Sequence, residues 1–291
     1  MTCVQLALLR NPLVWVAGLL LLVCAPTLSM IGVAQGDTAE PLSATDQARL
    51  QTQIAGLAAE RPGVRDVYFL AVGGDGSESV FMRDIEVARA GLASQVDLDN
   101  RAILLLNHRD YERLPLATPT AMQMALHALD AQMNPQEDLL FIHLVSHGGR
   151  DGALVMHQPG MDLPNLTPEA FAQMLAPLNV RRRVLVVSAC YSGNWLSPLA
   201  NADTLILTSS RKDRTSFGCG DDSEMTWFTK ALYQQGALSL SDPDGMFKQV
   251  NQLIRTWEKD IGMEKSSWSH PQSYLGSDLR HWLMQGVFLQ E

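Results

Sequence analysis

Short apolar runs alternate with helix-forming segments along most of this chain, and this alternation limits the folds open to it. The apolar runs are 66–72 (DVYFLAV), 102–106 (AILLL), 138–145 (DLLFIHLV), 183–188 (RVLVVS) and 204–208 (TLILT), with a candidate short extra strand at 153–156. Apolar residues recur at helical spacing over 43–60, 85–96, 120–133, 167–175, 223–235 and 246–259. Strands that alternate with helices and are apolar on both faces are typical of parallel sheets. We predict an α/β domain with a mostly parallel central sheet covered by helices on both faces.

The N-terminal segment has the pattern of an export signal. Residues 11–36 contain no charged side chain, Arg10 precedes them, and Asp37 and Glu40 follow. The segment is long enough to span a bilayer, and the charge asymmetry places the rest of the chain outside the cytoplasm. Small residues before 35 also suit signal-peptidase cleavage. We interpret 1–36 as a signal peptide or a single membrane anchor, leaving both alternatives open.

The remaining chain is interpreted as a short linker and one domain. Residues 37–42 form the linker and 43–291 the folded domain, which is expected to be periplasmic or anchored to the membrane from outside the cytoplasm. The net charge of −9 and the lack of a basic face argue against a nucleic-acid partner.

Two strand ends carry residues that can perform covalent catalysis. The third predicted strand leads into His147 and the fourth into Cys190. Because ligands bind at the carboxyl ends of strands in such sheets, both side chains are expected at one edge. There a thiolate can attack a carbonyl while an imidazole transfers the proton. Gly148, directly after the histidine, would let a substrate approach the backbone, and its N–H and that of Cys190 could stabilise an oxyanion.

The other histidines and cysteines are weighed against simpler interpretations. His143 and His147 stand four residues apart, but on a strand and without an acid to complete a ligand set, so no metal and no cofactor are predicted. Cys3 and Cys24 lie in the leader. Cys219 is interpreted as an incidental surface thiol. A Cys190–Cys219 disulfide, which would block the nucleophile, is the alternative.

The motifs resemble those of legumain-like cysteine peptidases. The matching segments are 146–149 (SHGG), 188–193 (SACYSG), and the pair 207–210 (LTSS) and 215–218 (TSFG). This family includes the asparaginyl endopeptidases and the catalytic subunit of the glycosylphosphatidylinositol transamidase, and it is more distantly similar to caspases. The resemblance covers about 64–235. It implies a caspase-like three-layer sandwich for 43–291.

The resemblance also implies roles for individual residues. His147 would be the general acid/base, Cys190 the nucleophile, and Gly148 with Cys190 the oxyanion donors. Legumains carry an acid two positions before the nucleophile, where this chain has Ser188, so asparagine specificity is not expected. The predicted substrate-binding residues are Arg83, Ser188, Ser209, Ser210, Asp222 and Glu224.

We therefore predict an exported cysteine endopeptidase that acts on peptides or proteins through an acyl-enzyme. A peptide transamidase or ligase of the same fold and a non-catalytic peptide-binding relative are the alternatives. An ester-cleaving α/β hydrolase is disfavoured because the G-x-S-x-G elbow is absent around Ser192.

Overall fold

A six-stranded sheet forms the centre of the computed structural model, which describes residues 42–109, 113–220 and 222–285. The predictions for the leader and for nearly all of the linker lie outside these ranges. The strands are β1 (Val67–Gly73), β2 (Ala102–Leu106), β3 (Leu139–Val145), β4 (Arg183–Ser188), β5 (Thr204–Thr208) and β6 (Gln272–Leu275). Their order is β2-β1-β3-β4-β5-β6, with β1 to β5 parallel and β6 antiparallel to β5. All five predicted strands are confirmed.

Two details of the sheet differ from the prediction. The sequence pattern missed β6, a four-residue edge strand that is only partly buried and therefore has no apolar run. Residues 153–156 do not form a strand. Leu154 instead makes isolated antiparallel bridges to Gly148 and to Leu166.

Helices cover both faces of the sheet. They are α1 (Ala44–Ala55), α2 (Val80–Ala93), α3 (Pro119–Gln132), α4 (Pro168–Leu175), α5 (Leu196–Leu199), α6 (Trp227–Thr229), α7 (Pro243–Asp260) and α8 (Ser277–Met284). A π-helical turn, Lys230–Gln234, continues α6. Ser43 and Thr167 cap α1 and α4 by accepting backbone N–H bonds, as their polar side chains before a helical pattern predict. The predicted helix at 223–235 begins only at Trp227 because Thr226 is its N-cap.

The strand alternation divides the apolar core into two layers. In β1, Phe69 and Ala71 face the layer built with α2, α6, α7 and α8, while Leu70 and Val72 face the layer built with α1, α3, α4 and α5. Successive strand residues point to opposite faces, so a strand buried on both faces is apolar throughout. The predicted three-layer α/β arrangement is confirmed.

All the described residues belong to one compact unit of the chain. No helix within the described ranges combines the length and the apolar character needed to cross a bilayer.

Candidate active site

The two predicted catalytic residues follow neighbouring strands at equivalent positions. Strands β3 and β4 are parallel neighbours, and Val145 is the register partner of Ser188. The Ser146 N–H donates to the Ser188 carbonyl at 3.3 Å, which extends the pairing beyond the strands. His147 lies two residues after Val145, and Cys190 lies two residues after Ser188. Both therefore leave the sheet at the same carboxyl edge, as the sequence predicts.

The His147 ring lies between an aromatic side chain and a carboxylate. The ring meets Phe81 edge to face, with centroids 5.1 Å apart. Its Nε2 atom is 3.9 Å from Oε1 of Glu78. The His147 side chain keeps 34% of its surface exposed and remains accessible to a substrate.

The Cys190 sulfur is surrounded by hydrogen-bond donors. The Ser216 N–H donates to it at 3.3 Å, and the Cys219 thiol acts on its pKa as a further hydrogen-bond donor. The Ser216 hydroxyl is a weaker contact at 3.8 Å. These donors, the Cys219 thiol first, and the nearby His147 charge outweigh partial burial and lower the pKa of Cys190 to about 6. A large share of this thiol is therefore ionised at neutral pH.

Buried hydroxyls hold the turn that carries Cys190. Ser209 Oγ accepts the Ala189 N–H at 2.9 Å and donates to the Ala189 carbonyl at 2.8 Å. Ser210 Oγ donates to the same carbonyl at 3.1 Å and accepts the Ser192 N–H at 3.2 Å. Tyr191 takes a left-handed conformation with φ of 57°. The structure thus places Ser209 and Ser210 beneath the nucleophile turn, and their predicted contact with a substrate stays a prediction.

Gly148 lies directly against the backbone of Cys190. A β-carbon at position 148 would stand 3.2 Å from the Cys190 nitrogen. Within the described ranges, neither the Gly148 N–H nor the Cys190 N–H donates to another protein group. Two neighbouring N–H groups that have no protein acceptor can both donate to one substrate oxygen.

Ser188 belongs to a buried polar network that the sequence did not indicate. Its hydroxyl lies 2.9 Å from Thr226 Oγ1, which donates to Asp84 Oδ2 at 2.6 Å. The Thr226 N–H donates to the other Asp84 oxygen at 3.0 Å. Burial raises the pKa of the fully buried Asp84 carboxyl to about 7, against the opposing effect of the Thr226 hydrogen bonds. The Thr226 hydroxyl thus links the Asp84 carboxyl to Ser188. Ser188 occupies the position where legumains carry their acid.

The remaining predicted pocket residues lie at a surface loop. The Arg83 guanidinium donates to the Glu224 carbonyl at 2.7 Å and to the Ser223 carbonyl at 2.6 Å, so it anchors this loop. Asp222 and Glu224 are both exposed. The structure brings Arg83 to the Glu224 backbone and leaves both predicted carboxylates at the surface.

Four residues around the site were missed or misjudged from the sequence: Glu78, Asp84, Ser216 and Cys219. Of these, Asp84 left a signal, because it stands three residues after Phe81 on the apolar face of α2, where a carboxyl is unusual. The interpretation of Cys219 as an incidental surface thiol is wrong. The residue is half-buried and packs beside the apolar core.

Metal binding finds no support among the described residues. No group of three or more His, Cys, Asp or Glu side chains there could hold an ion. His143, paired with His147 in the sequence, is fully buried, and its Nδ1 lies 3.1 Å from the Tyr233 hydroxyl. Burial lowers the pKa of His143 to about 3.

His147 and Cys190 follow adjacent parallel strands of this sandwich, and the match to a family model assigns the chain to the cysteine peptidases. The profile of the peptidase C13 family matches residues 122–277, more than half of the chain, and the protein belongs to that family. The structure is similar to caspase-1 from Spodoptera frugiperda, with a TM-score of 0.50 and 13% identity over 75% of this chain and 92% of the caspase. This likeness shows the fold. No curated protein matches the sequence.

Proposed function

We propose that this cysteine peptidase is an exported endopeptidase in which Cys190 is the nucleophile and His147 the general acid/base. The observation that carries the proposal is the placement of Cys190 and His147 after neighbouring parallel strands, and the lowered pKa of the Cys190 thiol agrees with it. Strong perturbation of a nucleophile's pKa in an accessible site favours a catalytic role over a structural one.

The mechanism follows from the groups around the sulfur. The Cys190 thiolate attacks the scissile carbonyl carbon, and the Gly148 and Cys190 N–H groups donate to the resulting oxyanion. His147 then gives its proton to the leaving amine, which leaves an acyl-enzyme thioester. Water, deprotonated by His147, attacks the thioester and releases the acid and the free thiolate.

The test is cleavage of a diverse peptide library by the full-length chain. We expect internal peptide bonds to be cut, and we expect Cys190→Ala and His147→Ala to remove this activity while circular dichroism stays unchanged. A thiol-reactive peptidyl probe should label Cys190 alone, with Cys3→Ser, Cys24→Ser and Cys219→Ser as matched controls. Undiminished turnover in Cys190→Ala would exclude the mechanism.

The same experiment separates the alternatives. Products joined to an added amine nucleophile in preference to water would indicate a transamidase or ligase. Peptide binding with no turnover and no probe labelling would indicate a non-catalytic relative.

Export is proposed on the pattern of the leader alone, an apolar segment with Arg10 before it and acids after it. A reporter fused to the C-terminus that is active only outside the cytoplasm should be functional. Activity of a cytoplasm-only reporter instead would overturn this part of the proposal.

A further inference from the structure

We infer that Arg150 and Lys212, which flank the turn that carries Cys190, form a subsite for an acidic side chain of the peptide substrate on the leaving side of the cleaved bond. The inference rests on the proposed function, because it names a feature of the substrate of that same site. Binding of an acidic peptide can be measured without cleavage, so the subsite and the peptidase activity are tested separately.

An arginine stacks on the residue that follows the nucleophile. Arg150 comes three residues after His147, and Tyr191 comes directly after Cys190. The central carbon of the Arg150 guanidinium lies over the Tyr191 ring, 5.5 Å from its centroid. This cation–π contact joins the two turns that carry the predicted catalytic pair.

Stacking holds the Arg150 guanidinium and leaves its donors available. Tyr191 is itself fixed, because its N–H donates to the Arg214 carbonyl at 2.7 Å. A stacked guanidinium is covered on one face, while its N–H donors point outward in its own plane. In the described part of the chain, Arg150 is exposed and has no partner besides Tyr191. These donors can therefore bind a carboxylate through two parallel hydrogen bonds.

A second cationic residue meets the same turn from the loop after β5. A β-carbon on Gly193 would stand 2.5 Å from the Lys212 nitrogen, so the two backbones are in contact. The Asn194 side chain donates to the Lys212 carbonyl at 3.2 Å and to the Tyr191 carbonyl at 2.9 Å. Asn194 also lies against Gly152, in the loop that follows β3. One asparagine thus joins the two loops, and the Lys212 side chain is exposed.

These two loops are basic in a chain whose net charge is −9. They contribute the cations Arg150, Arg211, Lys212 and Arg214 and the carboxylates Asp151 and Asp213. Asp213 accepts two hydrogen bonds from Arg211, at 2.5 and 3.0 Å, and lies 3.9 Å from Arg214. Within the described ranges, neither Arg150 nor Lys212 pairs with a carboxylate. An acidic side chain is therefore attracted to this place although the protein as a whole repels it.

The subsite lies across the sheet edge from the predicted pocket for the cleaved residue. Ser188 connects through a threonine hydroxyl to Asp84 on α2, in the layer that contains α6, α7 and α8. The nucleophile turn continues into Trp195, which is buried in the opposite layer. The Trp195 indole N–H donates at 2.7 Å to the carbonyl two residues after Arg150. We therefore expect a peptide with its cleaved residue over Ser188 to direct its leaving segment toward Arg150.

The experiment uses the full-length chain and peptides that differ in a single residue on the leaving side of the bond. Glutamate is compared with glutamine, its neutral isostere, at each of the first few positions after the cleaved residue. We expect kcat/KM to be about tenfold higher for glutamate at one of these positions. The difference should appear in KM, because a contact remote from the reacting atoms binds substrate and transition state alike. Added salt should reduce it, since exposed charges are screened.

Variants assign the preference to the two cations. The ratio of glutamate to glutamine is taken within each variant, so that a general change in activity cancels. Arg150→Gln should abolish the preference, and Lys212→Gln should reduce it. Arg150→Lys keeps the charge without the planar pair of donors and should retain part of it. Arg255→Gln removes an exposed arginine of α7 and is the matched control, which should keep the full preference.

Binding to Cys190→Ala separates the subsite from the chemistry. Fluorescence anisotropy should show tighter binding of the glutamate peptide than of the glutamine peptide. Equal kcat/KM for the two peptides at every position, a preference that survives in Arg150→Gln, or an acidic preference confined to the other side of the bond would overturn the inference. The binding preference in a protein whose wild type cuts no peptide would support the subsite and refute the proposed function.

Discussion

Gly148 stands so close to Cys190 that a β-carbon on the glycine would lie 2.1 Å from the Cys190 carbonyl oxygen. Real side chains do not approach a backbone oxygen this closely, so any other residue at 148 must displace the turn that carries the nucleophile. The glycine therefore sets the distance between the two strand ends as well as offering an N–H group.

Substituting this glycine tests its proposed role. We expect Gly148→Ala to lower kcat/KM on the order of 100-fold, or about 2.7 kcal/mol, because the N–H pair would no longer converge on one oxygen. Gly220→Ala is the control, since its added methyl meets no atom within 4 Å. Steady-state kinetics on one peptide measures both, and equal rates for Gly148→Ala and the wild type would contradict the oxyanion assignment.

The pH dependence of Cys190 alkylation tests the thiolate. Because the Cys219 and Ser216 donors and the His147 charge lower its pKa to about 6, the thiolate should persist until the pH falls through about 6. The rate of iodoacetamide alkylation should therefore reach half its maximum near pH 6. Cys219→Ala, which removes the largest contribution, should move this midpoint upward. Ser216→Ala removes only a contact at 3.8 Å and should move it less. A wild-type midpoint above 8 would contradict the prediction.

The buried Asp84 carboxyl should make stability fall with rising pH. Its folded-state pKa is raised to about 7, so its contribution to stability is complete below about pH 4, where both states are protonated. Above that pH Asp84 ionises only in the unfolded chain, so its contribution to stability is lost progressively as the pH rises through 7. The loss should be on the order of a few kcal/mol.

Urea denaturation between pH 4 and pH 8 measures this effect. Asp84→Asn cannot ionise, so its free energy of unfolding should fall less than that of the wild type over this window. Asp222→Asn, which removes an exposed carboxyl four residues before Thr226, should follow the wild type. Parallel curves for the wild type and Asp84→Asn would refute the prediction.

Substrate specificity is expected to differ from that of the asparaginyl endopeptidases. Ser188 offers only a hydroxyl, already within hydrogen-bond distance of Thr226, and Arg83 is engaged by two backbone carbonyls. With neither Ser188 nor Arg83 free to hold an asparagine amide, small or polar uncharged residues should be accepted about as well as asparagine. Kinetics on peptides that differ only at the cleaved residue measure this. A preference for asparagine over serine, alanine and lysine of about a hundredfold would show that Ser188 does not have this effect.

Much of the architecture could be predicted from local pattern. A strand buried on both faces is mostly apolar, so β1 and β3 were evident despite the buried His143 in β3, and the parallel arrangement followed from the helices between strands. Because parallel strands end at a common edge, His147 and Cys190 could also be placed together. Strand β6 could not be predicted, because a partly exposed edge strand has no apolar run.

The surroundings of the two residues depended on packing between distant segments. Asp84 meets Thr226 across 142 positions of the sequence, and Cys190 meets Ser216 across 26. No sequence periodicity indicates such contacts, because they depend on how loops and helices pack against the sheet. The sequence alone determined which strands lead into His147 and Cys190, and what chemistry an imidazole and a thiol can perform there. Only the tertiary structure decided that Ser216 lies against the nucleophile, since a serine in a polar loop has no local signal for what it will touch.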